Sequence, residues 1–250
     1  WISAWALFIT KPSDINSNYS DAGYNLPKLD VRWHKLPLLQ KEIFDKNGSM
    51  MLFETSGTGL SEAARIKRDS IDARIAKAKE IINASPEDNF ILWHDLEAER
   101  HAIKEALPAT VDIYGAQDYD LREERVNAFS DGQIRLFATK KELSGSGCNF
   151  QRYCHREIFV GIDYEFNDFI QAIHRCYRFL QKETVIIDII YMENEAEIRR
   201  ELMSKWKCHD EMVAKMIAIV KKYGLNEANK AQRLQRKMGV ETVKVEGTRY

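Results

Sequence analysis

Short apolar runs alternate with longer amphipathic segments from about residue 85 onward. The apolar runs are rich in β-branched and aromatic residues, which predicts buried strands, at residues 90–93, 111–114, 134–138, 157–161 and 184–190. Between them, the spacing of apolar residues predicts helices, over residues 96–107, 121–129 and 166–179. Strands that alternate with helices are typical of a parallel sheet with crossover helices on both faces. The sequence therefore predicts an α/β fold.

The segments on either side of this alternation have a different pattern. Residues 1–37 carry turn signals such as Pro12-Ser13-Asp14, which predict an irregular segment. Residues 61–83 have apolar side chains at three- and four-residue steps, which predicts a long helix that Ser61 is placed to cap. From residue 195 to about 238 the pattern is helical again. We therefore expect a helical C-terminal extension after the α/β domain.

The composition excludes two classes of protein. The chain has 250 residues, of which 44% are hydrophobic and 30% are charged. This is too rich in core-forming side chains for a disordered chain and too polar for a membrane protein. The longest apolar stretch, residues 1–9, is interrupted by Ser3 and is shorter than the roughly 18 residues of a membrane span. We expect a cytoplasmic protein with no membrane contact.

The cysteines give no reason to expect a metal centre. Four cysteines form no tight repeated pair, which suits a reducing compartment. Cys154-His155 and Cys208-His209 lack the C-x-x-C or H-x-x-x-H spacing that would support zinc. We therefore expect no metal ligands of this kind.

The formal net charge of −1 averages over an uneven distribution. Residues 198–240 contain eleven Lys or Arg and four Asp or Glu. A basic run of this kind is either a solvated helix face or a surface that contacts a phosphate backbone. The sequence leaves both interpretations open.

The pattern Q-x-x-x-R-x-x-R occurs on the helix predicted over residues 166–179, with Gln171, Arg175 and Arg178 at its fixed positions. The two arginines are three residues apart, so we expect both guanidinium groups on one helical face. A pair of guanidinium groups suits a polyphosphate, because each offers paired donors and keeps its charge. Pairing with surface carboxylates is the alternative.

A glycine-bearing loop, residues 139–151, follows the third predicted strand at the carboxyl edge of the sheet. Ligands of open α/β sheets bind at this edge. Gly145 and Gly147 would let the backbone approach a phosphate, while Thr139 and Lys141 supply a hydroxyl and a charge. A lone G-x-G is also compatible with a plain turn. Its position before the Q-x-x-x-R-x-x-R pattern makes it a more specific signal for a ligand site.

Together these motifs resemble motifs IV, V and VI of a superfamily-two helicase, through residues 91–94, 114–115, 122–132, 139–151 and 171–181. The resemblance is closer to the second RecA-like domain of Swi/Snf-type DNA translocases of phages and prophages, and it extends over roughly residues 1–220. Two positions depart from the family pattern. His174 stands where the family usually has Gly or Arg, and Leu180 where it usually has Gly.

The resemblance implies a RecA-like parallel sheet and a division of the chain into four parts. Residues 1–60 would connect two motor lobes, 61–192 would form the second lobe, 193–240 a basic helical extension, and 241–250 a tail or linker. It also implies a bacterial or phage-infected host cell as the setting. The partners would be duplex DNA, the N-terminal RecA-like lobe of the same protein and a linked methyltransferase.

The family's residue roles are carried over to matching positions. Arg175 and Arg178 would be arginine fingers that act on the γ-phosphate of ATP, and the other ATP-binding positions would be Gln171 and Gly147. The implied DNA contacts are Thr139, Lys141, Gly145 and His94. Asn149 and Gln151 would anchor the loop.

ATP and Mg²⁺ are the implied cofactors, and the first lobe would bind most of their groups. No G-x-x-x-x-G-K-[ST] motif occurs in the sequence, and the segment 54–59 lacks the lysine that holds the β- and γ-phosphates. No D-E-x-H-like strand end is present for magnesium either. We therefore expect that this chain alone does not hydrolyse ATP. A non-catalytic nucleic-acid-binding module on a RecA-like scaffold is the alternative function.

Overall fold

The computed structural model describes residues 10–14, 18–37, 43–44, 50–51, 68, 70–143 and 148–223. The chain divides into a larger unit, Leu26–Lys207, and a smaller one formed by Trp1–Asn25 and Cys208–Tyr250. No helix among the described residues combines the length and the hydropathy that a membrane span needs.

The larger unit contains a six-stranded sheet in which all neighbouring strands are parallel, in the order β1-β8-β7-β4-β6-β5. Its strands are β1 (Leu29–Leu36), β4 (Phe90–Trp93), β5 (Val111–Asp112), β6 (Leu136–Thr139), β7 (Arg156–Phe159) and β8 (Val185–Met192). A separate antiparallel pair consists of β2 (Ile43–Phe44) and β3 (Met50–Met51). The helices are α1 (Ile71–Asn83), α2 (Glu97–Ala106), α3 (Tyr119–Ser130), α4 (Phe166–Ile173) and α5 (Ala196–Tyr223).

Two hydrophobic clusters cover the two faces of this sheet. Successive strand residues point to opposite faces, so Ile91 and Trp93 belong to one cluster while Phe90 and Leu92 belong to the other. Residues of α1 and α2 complete the second cluster, and residues of α3, α4 and α5 complete the first. A parallel sheet with helices on both faces and a helical C-terminal region confirms the predicted fold class.

Strand β1 lies where the sequence pattern predicts an irregular segment, and for residues 29–36 that prediction is wrong. The strand pairs in parallel with β8 along its whole length. Its apolar residues Leu29, Val31 and Trp33 alternate with polar ones and pack against a single cluster. This alternation is typical of a strand that is only half buried, and it is weaker than the continuous apolar runs of the central strands.

One predicted helix has a different end in the structure, and two others are described only in part. Helix α4 ends at Ile173, so the prediction of a helix to residue 179 is wrong. Helix α5 extends to Tyr223, and residues 224–238 of the predicted extension lie outside the described residues. Helix α1 begins at Ile71, whereas the predicted cap Ser61 also lies outside them. The domain boundaries at residues 60, 192 and 240 stay predictions.

In the smaller unit, Pro12–Asp14 forms one turn of 3-10 helix, which confirms the predicted turn. Asp14 accepts hydrogen bonds from the backbone N–H and the hydroxyl of Thr10, at 3.1 and 2.7 Å. Asp21 pairs with Lys11 at 2.7 Å and accepts two hydrogen bonds from Ser13. Hydrogen bonds from Lys11 and Ser13 lower the pKa of Asp21 to about 2.

Candidate functional site

The predicted ATP-contacting arginines lie on the turn that follows α4, not on the helix itself. The backbone N–H of Arg175 donates to the carbonyl of Ala172 at 2.9 Å, and that of Tyr177 donates to the carbonyl of Ile173 at 2.9 Å. Leu180, near the end of the turn, has a φ of 68°. This is the left-handed region in which glycine is favoured. The backbone at Leu180 therefore has a conformation that favours glycine over a residue with a side chain.

Two contacts join this turn to the end of the glycine-bearing loop. The backbone N–H of Phe150 donates to the carbonyl of Arg175 at 3.1 Å. Arg178 donates from Nη1 to the side-chain oxygen of Asn149. The predicted anchoring role of Asn149 therefore has a specific partner, which is one of the two arginines.

The two arginines differ in their surroundings. Burial lowers the pKa of Arg175, and the nearby Cys148 opposes this shift. The guanidinium of Arg178 lies 5.0 Å from the ring centroid of Phe179. Within the described part of the chain, no carboxylate forms an ion pair with Arg178, whose side-chain partner is a neutral amide. Among the described residues, its charge is therefore not neutralised by a carboxylate.

Two glutamines of the same motif have opposite placements. Gln171 is exposed on α4. Gln181 is buried, and its Nε2 donates to the carbonyls of Cys154 and Cys176, at 3.1 and 3.2 Å. Its Oε1 accepts from two backbone N–H groups of the segment that leads to β8. Gln181 thus fixes the turn from inside, whereas Gln171 is accessible to a ligand.

A second group of predicted residues lies at the carboxyl ends of the strands. Lys141 is buried, and its ammonium is 2.5 Å from Asp163 and 3.0 Å from Asp95. Burial opposes the charge of Lys141, but the two carboxylates outweigh burial and raise its pKa. Because the three residues follow β4, β6 and β7, this cluster ties together the ends of three strands.

His94 and Thr139 are also buried at this edge. The backbone N–H of His94 donates to the carbonyl of Thr139 at 3.2 Å. Neither ring nitrogen of His94 has a hydrogen-bond partner among the residues that the structure describes. Burial lowers the pKa of His94 to about 4, so the imidazole is neutral at pH 7. The side chains of His94, Thr139 and Lys141 are all buried. The DNA contacts predicted for these three residues stay predictions.

An open cleft of about 490 Å³ adjoins this edge of the sheet. Its lining includes Glu97, Arg100, Tyr114 and Lys140. Arg100 pairs with Glu97 at 2.7 Å and with Asp112 at 2.8 Å, and Lys140 lies 3.2 Å from Glu97. The guanidinium of Arg100 also lies 4.2 Å from the ring centroid of Tyr114. The two cations of the cleft are therefore paired with carboxylates.

The lysine cluster and the arginine turn lie at opposite ends of the strands, the first at their carboxyl ends and the second at their amino ends. Lys141 follows the carboxyl end of β6, whereas Gln181 bonds to Cys154, two residues before β7 begins. Residues 139–151 thus run from the lysine cluster to the arginine turn. Gly145 and Gly147 lie in the middle of this loop, outside the described residues.

Sequence reasoning missed a buried acid beside the arginine turn. Glu157 is fully buried on β7, and Trp93 donates to its Oε2 at 2.7 Å. Burial raises its pKa well above the ordinary value, and burial also raises the pKa of the neighbouring Cys176. The only available signal was a charged residue within an apolar run, Glu157-Ile158-Phe159.

Several solved structures have folds similar to this chain. One is the C-terminal part of the Fun30 ATPase domain, at 15% identity and a TM-score of 0.47, with 59% of this chain and 52% of that chain covered. A DEAD box protein from the hyperthermophile Methanococcus jannaschii has 14% identity and a TM-score of 0.47 over 54% and 37% of the two chains. A variant of S. cerevisiae Dbp5 bound to RNA and ADP BeF3 has 13% identity and a TM-score of 0.47 over 59% and 43%. The chain thus spans about half or less of the length of these structures. No protein-family model and no curated protein matches the sequence.

Proposed function

We propose that this chain is the C-terminal motor lobe of an ATP-dependent DNA helicase or translocase. In this proposal the lobe belongs to superfamily two, to the Swi/Snf type, and comes from a phage or prophage. The observation that carries the proposal is the arginine turn. Arg175 and Arg178 lie on one short turn after a crossover helix of a parallel sheet, and Asn149 and Phe150 hold that turn in place.

The chemistry of this turn suits a polyphosphate. A guanidinium group presents several N–H donors in a fixed plane and stays charged at every physiological pH. Arg178 has a neutral side-chain partner, so its charge is available to an anion. During phosphoryl transfer, an arginine that reaches the nucleotide from a neighbouring lobe stabilises the negative charge on the transferred group.

The chain's own residues would contribute only part of the nucleotide site. Arg175, Arg178 and the exposed Gln171 would contact ATP, together with Gly147 of the loop. The partner lobe would bind Mg²⁺ and most of the phosphate oxygens, since the sequence contains no phosphate-binding lysine motif. The loop 139–151 would link this site to DNA, because it begins at the lysine cluster and ends at the arginine turn.

The test joins this chain to the nucleotide-binding lobe of the same protein and measures DNA-stimulated ATP hydrolysis. Arg178→Ala should lower the rate by roughly three orders of magnitude or more, as the loss of an arginine finger does. Arg32→Ala removes an exposed arginine of the edge strand β1 and should leave the rate of hydrolysis unchanged. Hydrolysis at the normal rate in Arg178→Ala would exclude the arginine finger role.

A non-catalytic nucleic-acid-binding module is the second candidate function. The exposed basic side chains of α5, among them Arg200, Lys205 and Lys207, favour it. If they contact phosphates, the affinity for duplex DNA should fall with salt by about 0.9 log units per log unit of salt for each contact. An affinity that does not change with salt would leave α5 as a solvated helix. An ATPase that depends on Arg178 would favour the motor lobe instead.

A further inference from the structure

An exposed surface at the amino ends of β7 and β8 combines aromatic and basic side chains. Tyr153 is 48% exposed, Phe179 is 36% exposed and Leu180 is 58% exposed. Two exposed basic residues, Arg152 and Lys182, flank them. We call these five residues the amino-edge surface. It differs from the predicted DNA contacts at the carboxyl edge, whose described side chains are buried.

The two segments of the amino-edge surface are joined by Gln181. Its amide donates to the carbonyl of Cys154 at 3.1 Å and to the carbonyl of Cys176 at 3.2 Å. Tyr153 directly precedes the first acceptor, and Leu180 directly precedes Gln181. The backbones of the two segments are therefore neighbours at this edge of the sheet, and each carries exposed side chains.

The backbone next to two of these side chains has a positive φ, at Gly132 beside Tyr153 and at Leu180 itself. A Cβ atom at Gly132, whose φ is 75°, would lie 2.8 Å from Cγ of Tyr153, so only glycine lets the tyrosine ring lie against this backbone. Leu180 has a φ of 68°, which is sterically unfavourable for a residue with a side chain. Its side chain gains little burial in return.

We infer that the amino-edge surface binds single-stranded nucleic acid by stacking unpaired bases on its aromatic rings. Exposed aromatic rings beside cations are the arrangement that holds single strands without sequence preference. The guanidinium of Arg152 lies 5.9 Å from the ring centroid of Tyr153, and Lys182 adds a second charge for the phosphates. Two exposed carboxylates lie nearby, since Glu183 follows Lys182 and Asp131 precedes Gly132, which the ring of Tyr153 adjoins. This inference goes beyond the proposed function, whose implied partner is duplex DNA, and rests on it for the choice of nucleic acid as the ligand.

The test measures binding of fluorescently labelled oligothymidylate to the 250-residue chain by fluorescence anisotropy, in the absence of ATP. Tyr153→Ala and Phe179→Ala should each weaken binding roughly ten-fold, as the loss of one base-stacking ring does. Tyr153→Phe keeps the ring against Gly132 and should keep the affinity. The double variant Arg152→Ala, Lys182→Ala should lower the salt slope by about 0.7 for each phosphate that the protein no longer binds.

The matched control is Tyr119→Ala on α3. Tyr119 is 69% exposed and lies 5.6 Å from the guanidinium of Arg122, so it has the same ring and the same kind of neighbour. Its surroundings are acidic, with Asp118 and Asp120 on either side. The control variant should bind oligothymidylate as the unchanged protein does. Equal losses in Tyr119→Ala and Tyr153→Ala would overturn the inference.

Other results would overturn it as well. These are the absence of oligothymidylate binding, and equal competition by a duplex of the same length. A loss of self-association rather than of nucleic-acid affinity in Phe179→Ala would identify the surface as a protein interface instead. The thermal midpoint of each variant separates a binding defect from unfolding. Because the measurement uses no ATP, its failure is distinct from a failure of the ATPase test.

Discussion

Trp93 Nε1 donates a hydrogen bond of 2.7 Å to Oε2 of Glu157 across the neighbouring strands β4 and β7. Both residues are buried in the sheet. The other carboxyl oxygen of Glu157 has no hydrogen-bond partner in the described part of the chain. A carboxyl group in this position is stable when it is protonated, since burial penalises its charge.

Glu157→Gln should therefore change how stability depends on pH. The pKa of Glu157 is raised above its ordinary value of 4.5, so its stabilising contribution is present below about pH 4.5 and is lost as the pH rises through the folded-state pKa. Glutamine has no such loss, because it stays neutral. Urea unfolding of both proteins between pH 4.5 and pH 8 measures the difference. Parallel stability curves would contradict a raised pKa.

Arg74→Met should be strongly destabilising. Arg74 is completely buried on α1, donates to the carbonyls of Val160 and Ile190 at 3.3 Å, and pairs with Glu195 at 2.8 Å. Removing it leaves the buried carboxylate of Glu195 without its cation, which typically costs about 3 to 5 kcal/mol of unfolding free energy.

The control for this variant lies on the same helix. Lys77→Met breaks an ion pair with Glu80, whose side chain is largely exposed, and should cost less than about 1 kcal/mol. Adding Glu195→Gln to Arg74→Met should recover part of the loss, because no unpaired charge then stays buried. Equal unfolding free energies for Arg74→Met and Lys77→Met would show that the buried pair does not stabilise the fold.

His94→Leu should make the free energy of unfolding less sensitive to acidic pH. Burial lowers the pKa of His94 from 6.5 to about 4, so its contribution is present above pH 6.5 and is lost as the pH falls towards 4. The loss for the unchanged protein amounts to at most about 3 kcal/mol. Unfolding midpoints at pH 7 and pH 4.5 measure it, with the exposed His101→Gln as the control. The same acid sensitivity in His94→Leu would assign the loss to other groups.

Leu180→Gly should raise the free energy of unfolding by up to about 1 kcal/mol. Glycine adopts the φ of 68° without the steric cost that leucine pays, although its greater freedom in the unfolded state offsets part of the gain. Leu180→Ala is the matched control, because it removes the exposed side chain and keeps the steric cost. Chemical unfolding compares the two. An alanine variant as stable as the glycine variant would show that the backbone is not strained.

The strands that the sequence predicts best are those buried on both faces. Residues 90–93 are continuously apolar, and residues 185–192 are interrupted only by Asp188, and both form central strands. β1 has only alternating apolar residues, and the pattern of the turn-rich N-terminal region hides it. The end of α4 at Ile173 has no breaker after it in the sequence. The turn there is held by Phe150 from a distant segment.

The candidate site also combines features that the sequence predicts with features that only the fold produces. Its arginines and its loop are recognisable from sequence spacing alone. The sequence does not predict that Asp95 and Asp163 converge on Lys141. The two carboxylates are far apart along the chain and meet only where parallel strands end side by side. Nor does the residue type of His94 indicate burial.

The sequence by itself determined the alternation of strands and helices and the positions of Arg175 and Arg178, because both depend on local patterns of residue type. Only the tertiary structure decided which charges are buried and which remain available. Burial and ion pairing depend on groups brought together by the sheet. They placed Lys141 between two carboxylates, left Arg178 with a neutral partner, and kept Tyr153 and Leu180 at the surface.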